Sequence, residues 1–230
     1  MYLSKLVLNI RDRQARRDLA SPYELHRTLW RAFPENDPGR ILFRVDSDQR
    51  GGAPIVLVQS DLAPDWGRLE ERGARYLLGA PDFKEFAPTF ATGQQLRFRL
   101  RANPTKKLGT SSKQDRLDGN KDNGQRVALL CDVDQVAWLV GKGDKGGFQV
   151  PGEWLEQDEG KKRPNFRVDV VPEGWVGTGK EGHTAGRFYA VRFDGVLQVT
   201  DPGKFLKTLA DGVGSAKGFG FGLLSVAPPR

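Results

Sequence analysis

At 230 residues the chain has room for one large domain or two of about 100 residues each. Hydrophobic residues at 38%, with 13 Phe and 5 Trp, are enough to build a core and exclude a wholly disordered chain. Lys and Arg number 36 against 29 Asp and Glu, a formal charge of +7, which favours polyanionic partners because each neutralised phosphate releases a counterion. The single cysteine, Cys131, excludes an intramolecular disulfide and a cysteine-based zinc site. That usage fits a reducing compartment. The N-terminus runs from apolar to charged, the reverse of a signal peptide, and no stretch of roughly 18 apolar residues exists. A cytoplasmic protein without a membrane span is expected.

In chain order, Tyr2–Ile10 alternates apolar and polar residues and predicts a strand. Arg11–Arg17, with four arginines, reads as a polar connection. Ser21-Pro22 predicts a helix start, with Ser as N-cap, Pro in the first turn and Glu24 at capping-box spacing. Leu25, Leu29 and Phe33 give that helix one apolar stripe, and Pro34 stops it. Arg40–Asp46 and Pro54–Ser60 predict two strands joined as a hairpin through Asp48–Ala53. Trp66–Gly79 predicts a helix interrupted at Gly73. Gln94–Ala102 alternates strictly, with Leu96, Phe98 and Leu100 opposite Arg97, Arg99 and Arg101. The first unit, residues 1–102, thus reads β-α-β-β-α-β. Residues 103–125 are polar and aperiodic and read as a linker or mobile loop.

In residues 126–230, Arg126–Leu130 predicts a strand and Asp132–Val140 a helix with Val133, Val136, Ala137 and Val140 inward. Strands follow at Gly146–Val150, Asn165–Val171 and Arg187–Thr200, the last folded at an Asp194-Gly195 hairpin turn. Asp201-Pro202 opens a last helix to about Ala210, and Gly220–Val226 closes with a strand. The same element order with an added hairpin predicts an α+β chain of two tandem ferredoxin-like, RRM-like units. Such sheets often carry single-stranded RNA on an exposed face.

Several motifs fail on context. Gly174 to Lys180 imitates a phosphate-binding loop but has Glu181 where Ser or Thr should hold magnesium, and no strand-loop-helix frame. Gly212, Gly214 and Gly218 imitate a dinucleotide loop but follow a helix and precede a strand, the reverse of the Rossmann order. His26 and His183 lack metal-ligand spacing, so neither a metal nor a cofactor is expected, and Cys131 is expected to be buried.

Three features carry chemistry. Tyr23 and His26, at i and i+3, share a helix face beside Arg27 and Arg31, placing a proton-transfer group next to a phenol and two guanidiniums. The run from Gly212 to Gly222 holds five glycines, with Ser215 and Lys217 between them. Backbone N–H groups there can approach a phosphate closely, although a flexible turn into a packed strand is the bland alternative. Arg97, Arg99 and Arg101, continued by Lys106 and Lys107, form a basic track or a solvated strand face.

The combination of SPYELHRTLWRAF, LRFRLRANPTKK and GVGSAKGFGFGLLSVAP resembles the CasE family, the repeat-processing endoribonucleases of type I-E CRISPR Cascade, over nearly the whole chain. The resemblance implies tandem ferredoxin-like domains, binding of a hairpin in the CRISPR repeat transcript and a single metal-independent cut at its 3′ base. It also implies retention of the mature crRNA with the other Cascade subunits. Tyr23 and His26 fall on the family's catalytic positions, and Gly212–Gly222 on its glycine-rich loop. Arg27, Arg31, Arg97, Arg99, Arg101, Lys106, Lys107, Gly212, Gly214, Ser215, Lys217 and Gly218 are the expected RNA contacts. The competing expectation is a non-catalytic RNA-binding subunit of a ribonucleoprotein complex, which would share the basic strand and the loop but not depend on His26. A metal-dependent nuclease lacks the acidic cluster it needs.

Overall fold

The computed structural model describes residues 1–34, 39–46, 52–70, 75–108, 126–157, 162–179 and 186–229. The alternation at the N-terminus forms β1 (Tyr2–Val7), which buries Leu6, and Leu8 continues it into an isolated bridge with Leu77. The arginine-rich segment after it is not a plain connection. It forms α1 (Arg13–Ala20), because Asp12 caps it by accepting from the Ala15 N–H at 2.9 Å. The hydrophobic pattern hides this helix, whose inward groups are Ala15 and a carboxylate, Asp18. Asp18 accepts from the Tyr76 hydroxyl at 2.9 Å and from Gln14 at 2.7 Å, and burial pushes its pKa up. Helix α2 (Pro22–Trp30) begins as expected, with the Ser21 hydroxyl accepting from the Glu24 N–H and Leu25 and Leu29 facing the core.

Strands β2 (Ile41–Asp46) and β3 (Ile55–Ser60) pair antiparallel with Phe43 opposite Val58. Part of the loop between them, including Asp48, lies outside the described residues. The helix expected over Trp66–Gly79 is a single 3₁₀ turn at Trp66–Leu69. Gly73 lies outside the described residues, and Tyr76 and Leu77 return to the core as extended chain. Next comes β4 (Asp82–Glu85), a strand exposed at every residue and therefore without an apolar signature. The sheet order is β2-β3-β1-β4, all antiparallel. This is the ferredoxin-like order.

The strand β5 (Gln95–Ala102) has the expected alternation but belongs to the other sheet, which corrects the division at residue 102. The fourth place in the first sheet is already taken by β4, so the two sheets are joined between Glu85 and Gln95. Past β5 the chain makes a short ribbon of β6 (Thr105–Lys107) and β7 (Arg126–Ala128), and residues 109–125 of the expected linker lie outside the described residues. Helix α3 (Asp132–Gly146) runs past the predicted end. Its glycines allow close packing: a Cβ on Gly143 would lie 2.6 Å from the Phe148 carbonyl oxygen. Its inward stripe is Val136, Leu139, Gly143 and Gly146, while Val133 and Ala137 face out. Cys131, at its N-cap, is exposed rather than buried.

Short strand β8 (Phe148–Gln149) is followed by a hairpin of β9 (Gly152–Glu156) and β10 (Lys162–Phe166), then β11 (Val168–Gly177). Strand β12 (Arg187–Val199) passes straight through Asp194-Gly195. Gly195 is needed there not for a turn but for close approach, since a Cβ would lie 2.3 Å from the Arg167 carbonyl oxygen. Helix α4 (Pro202–Asp211), capped by Asp201, and β13 (Leu224–Ala227) complete the second unit. Its main order, β11-β12-β5-β13, repeats the order of the first sheet, so the chain is a tandem ferredoxin-like α+β protein.

Each unit has its own apolar core. Buried polar groups join the two. Arg44 of β2 is held bidentately by Asp46 at 2.8 and 3.0 Å and donates to the Ser225 hydroxyl at 3.0 Å. Gln59 donates to the Leu209 carbonyl at 2.7 Å. These bonds fix α4 and β13 against β2 and β3. Among the described residues no helix is long and apolar enough to cross a membrane.

Candidate active site

The Ser21 cap and Pro22 set the start of α2, and its buried Leu25–Leu29 stripe sets its rotation. His26 is thereby held half-buried at the junction of the two units. Its ring stacks on Phe43 of β2 at 5.9 Å between centroids and meets Trp30, one turn on, edge-to-face at 5.5 Å. The Trp30 indole N–H donates to His26 Nε2 at 3.2 Å. An accepting Nε2 is unprotonated, so the neutral ring carries its hydrogen on Nδ1. Burial pushes the His26 pKa below its ordinary value, and the indole bond also favours the neutral ring.

The other wall of the site is the glycine-rich loop. Gly212 ends α4 at φ +74°, where a Cβ would press to 2.8 Å from Leu42, and Gly220 at φ +80° lets the backbone lie on the Phe43 ring. Between them Ala216 takes a left-handed φ of 60°, unusual for a non-glycine, and leads into a 3₁₀ turn at Lys217–Phe219. Gly218 faces His26: a Cβ there would lie 3.4 Å from Cε1 and 3.5 Å from Nδ1. The structure thus brings the helix and loop motifs, nearly two hundred residues apart in sequence, onto one imidazole.

Lys217 is partly buried, and its pKa is pushed down by burial and then by the nearby Arg40, against the opposing charge of Asp211 and with a further push from Lys142. Three cations thus converge around the loop. Two of them, Arg40 and Lys142, were not singled out in the sequence, because Arg40 comes from the start of β2 and Lys142 from the last turns of α3. Lys142 lies over the Trp138 ring at 5.6 Å. Trp30 was also missed, although its i+4 spacing from His26 carried the signal.

The remaining predicted residues are placed differently. Tyr23 lies one turn before His26, with the Arg27 guanidinium 5.8 Å from its ring centroid. Arg27 is bonded to Glu24 at 3.3 Å, and Glu24 also binds Arg17 at 2.7 Å. Arg31 caps the end of α2 and donates to the Arg68 carbonyl at 3.3 Å. The expected basic track on β5 is largely compensated. Arg99 pairs with Asp194, Arg101 pairs with Glu173 at 2.6 Å and covers the Phe221 ring, and Arg97 donates to the Pro228 carbonyl. Alternation along β5 showed which face the arginines occupy but not the acids that β11 and β12 place beside them. Lys106 and Lys107 are exposed on β6. Ser215 faces a cavity beside the loop. His183 lies outside the described residues. Among the described residues no three His, Cys, Asp or Glu side chains converge.

A family model described as CRISPR associated protein matches residues 1–228. A CRISPR-associated endoribonuclease Cse3 of Thermus thermophilus is 42% identical over 99% of this chain and 100% of its own length. The Cascade subunit CasE of Escherichia coli is 32% identical over 99% and 100%. A solved structure of the Thermus thermophilus Cse3 bound to an RNA representing a pre-cleavage complex is 40% identical. It superposes with a TM-score of 0.77 over 99% of this chain and 98% of that one. Sequence and architecture agree along the whole length, and the chain belongs to the CRISPR-associated protein family.

Proposed function

We propose that the chain is a metal-independent endoribonuclease that binds the hairpin of a CRISPR repeat transcript, cuts it once and keeps the crRNA within a Cascade assembly in the cytoplasm. The observation that carries this is His26, half-buried on α2 with its pKa pushed down by burial and its ring edge lined by Gly218 of the glycine-rich loop. The relatives' names, an endoribonuclease and a Cascade subunit, support the same reading.

The nucleophile is the RNA's own 2′-OH. Its oxygen bonds to the adjacent phosphorus as the bond to the 5′-oxygen breaks, leaving a 2′,3′-cyclic phosphate and a 5′-OH. One proton leaves the 2′-OH and one reaches the departing oxygen, and His26 carries one of these transfers. Tyr23, on the same face of α2, positions the 2′-OH or shares the proton transfer. Lys217, with Arg40 and Lys142 behind it, and the N–H groups of the loop offset the charge growing on the phosphorane. Arg27 and Arg31 border the site, and Lys106 and Lys107 present exposed charge for the hairpin backbone. RNA that engages Arg97, Arg99 or Arg101 competes with the groups that already hold them.

A repeat hairpin with 2′-deoxyribose at the cut nucleotide should bind and survive in EDTA, while the all-ribose RNA is cut to a cyclic phosphate. Efficient cleavage of the deoxy substrate would rule out the mechanism.

The Trp30 bond gives a prediction about pH. Trp30→Phe removes a donor that favours the neutral imidazole, so the His26 titration moves to higher pH, toward the ordinary histidine value. The His26-dependent limb of the rate profile moves the same way whether the residue acts as base or acid. With only two histidines in the chain, NMR titration of the imidazole C–H signals reads the shift directly. An unchanged midpoint would show that Trp30 does not bond the ring in solution.

A further inference from the structure

Beside the glycine loop lies a cavity of about 500 Å³. Asn103, Arg126, Trp175, Arg187, Tyr189 and Ser215 line it. Ser215 belongs to the glycine loop, three residues before Gly218. Phe188, also in the lining, packs on Phe219 at 5.1 Å, the residue after Gly218. The cavity therefore borders the same loop that lines the imidazole.

Its chemistry suits an unpaired base. Trp175 is 48% exposed, meets Tyr189 edge-to-face at 5.3 Å and carries the Arg187 guanidinium 4.4 Å from its ring centroid. A base can stack on that aromatic and guanidinium platform while Arg187 and Arg126 face its phosphates. Arg126 is anchored from below by its bond to the Thr105 hydroxyl at 3.3 Å. Asn103 is only 5% exposed, and its Oδ1 has no hydrogen-bond partner among the described residues. That oxygen is itself almost wholly buried, so a small turn of the Asn103 side chain toward the cavity it lines would bring it to a donor from outside and satisfy it. An exocyclic amino group supplies one, while the Asn NH₂ can donate to the neighbouring ring nitrogen, as in bidentate asparagine–adenine pairing. Uracil offers a carbonyl oxygen where that amino group would stand.

We infer that this cavity is a subsite for one unpaired base of the RNA, adjacent to the cut nucleotide, that carries an amino group where guanine and uracil carry a carbonyl oxygen, namely adenine or cytosine. The base stacks at Trp175 and is read by Asn103. Its seating holds the strand against the loop and so orients the scissile phosphate toward His26. The inference rests on the RNA-cleaving function proposed above.

The test uses repeat-hairpin RNA blocked by 2′-deoxyribose at the cut. Each unpaired position flanking the stem is made abasic in turn, and binding is measured with wild type and Trp175→Ala. One position should cost wild type about tenfold in affinity. Trp175→Ala should lose a similar factor on intact RNA and then be indifferent to the abasic site at that position. At the same position uracil should bind less well than adenine or cytosine, and Asn103→Leu should erase that preference. Because Trp175 is half exposed, its variant keeps the test open even if the Asn103 variant misfolds. Additive losses, or insensitivity at every position, overturn the subsite. All-ribose RNA separates the two ideas. Normal cleavage with additive binding losses removes the subsite alone, whereas coupled losses without cleavage remove the endonuclease and leave the subsite. Absence of hairpin binding by wild type removes both.

Discussion

Replacing His26 with alanine should lower the single-turnover rate of repeat-hairpin cleavage by about 10²–10⁴-fold, the range that one positioned proton-transfer group supplies. Affinity for uncut RNA stays close to that of wild type. The two effects separate because the groups proposed to hold the RNA are elsewhere: the loop backbone, Lys217, and the exposed Lys106 and Lys107. The imidazole itself contributes little to folding. It lies at the edge of the core against Phe43 and an exposed Trp30, while the buried Leu25 and Leu29 hold α2 in place. The loss therefore falls on the chemical step rather than on binding, the pattern of an interaction made chiefly in the transition state. The measurement is a single-turnover time course in EDTA beside a binding titration with deoxy-blocked RNA. A variant that cuts at the wild-type rate would show that the proton transfer is made by another residue. A variant that neither cuts nor binds would make His26 a binding residue.

How much of this was legible in sequence depended on where each element's partner came from. Helix α2 was readable to within a turn because its cap, its proline and its apolar stripe are all local. Strand β5 was readable as a strand but not as a member of the second sheet. Alternation fixes which side chains face inward and carries nothing about which strand lies alongside. Strand β4, which takes the place expected for β5, has no apolar face because it is a short exposed edge strand. Helix α1 was lost because its inward group, Asp18, is satisfied by a tyrosine fifty-eight residues away. Asp194-Gly195 has the composition of a tight turn, yet Gly195 serves a neighbouring backbone. At the candidate site the helix and loop motifs were visible separately. Their meeting was not, since it depends on Arg44 and Gln59 docking one unit on the other.

Gly218→Val should lower cleavage by about 10²-fold with little change in thermal stability, because displacement by about 1 Å near the reacting atoms is enough to cost that factor. The argument is steric. Gly218 does not have a positive φ, so its backbone accepts an L side chain. A Cβ there reaches 3.4 Å from His26 Cε1, ordinary contact, so Gly218→Ala should cut nearly as well as wild type. Valine adds two methyls about 1.5 Å beyond Cβ. They must push the imidazole toward Phe43 or fill the space the phosphate needs. Gly212→Val behaves differently: φ is +74° and Leu42 would lie 2.8 Å from the new Cβ, so the whole α4–β2 junction is strained and the melting temperature falls. Measured together, single-turnover rates and melting curves place one glycine in the reaction and the other in the fold. Wild-type cleavage by Gly218→Val would mean that the RNA does not react at the imidazole edge beside the loop.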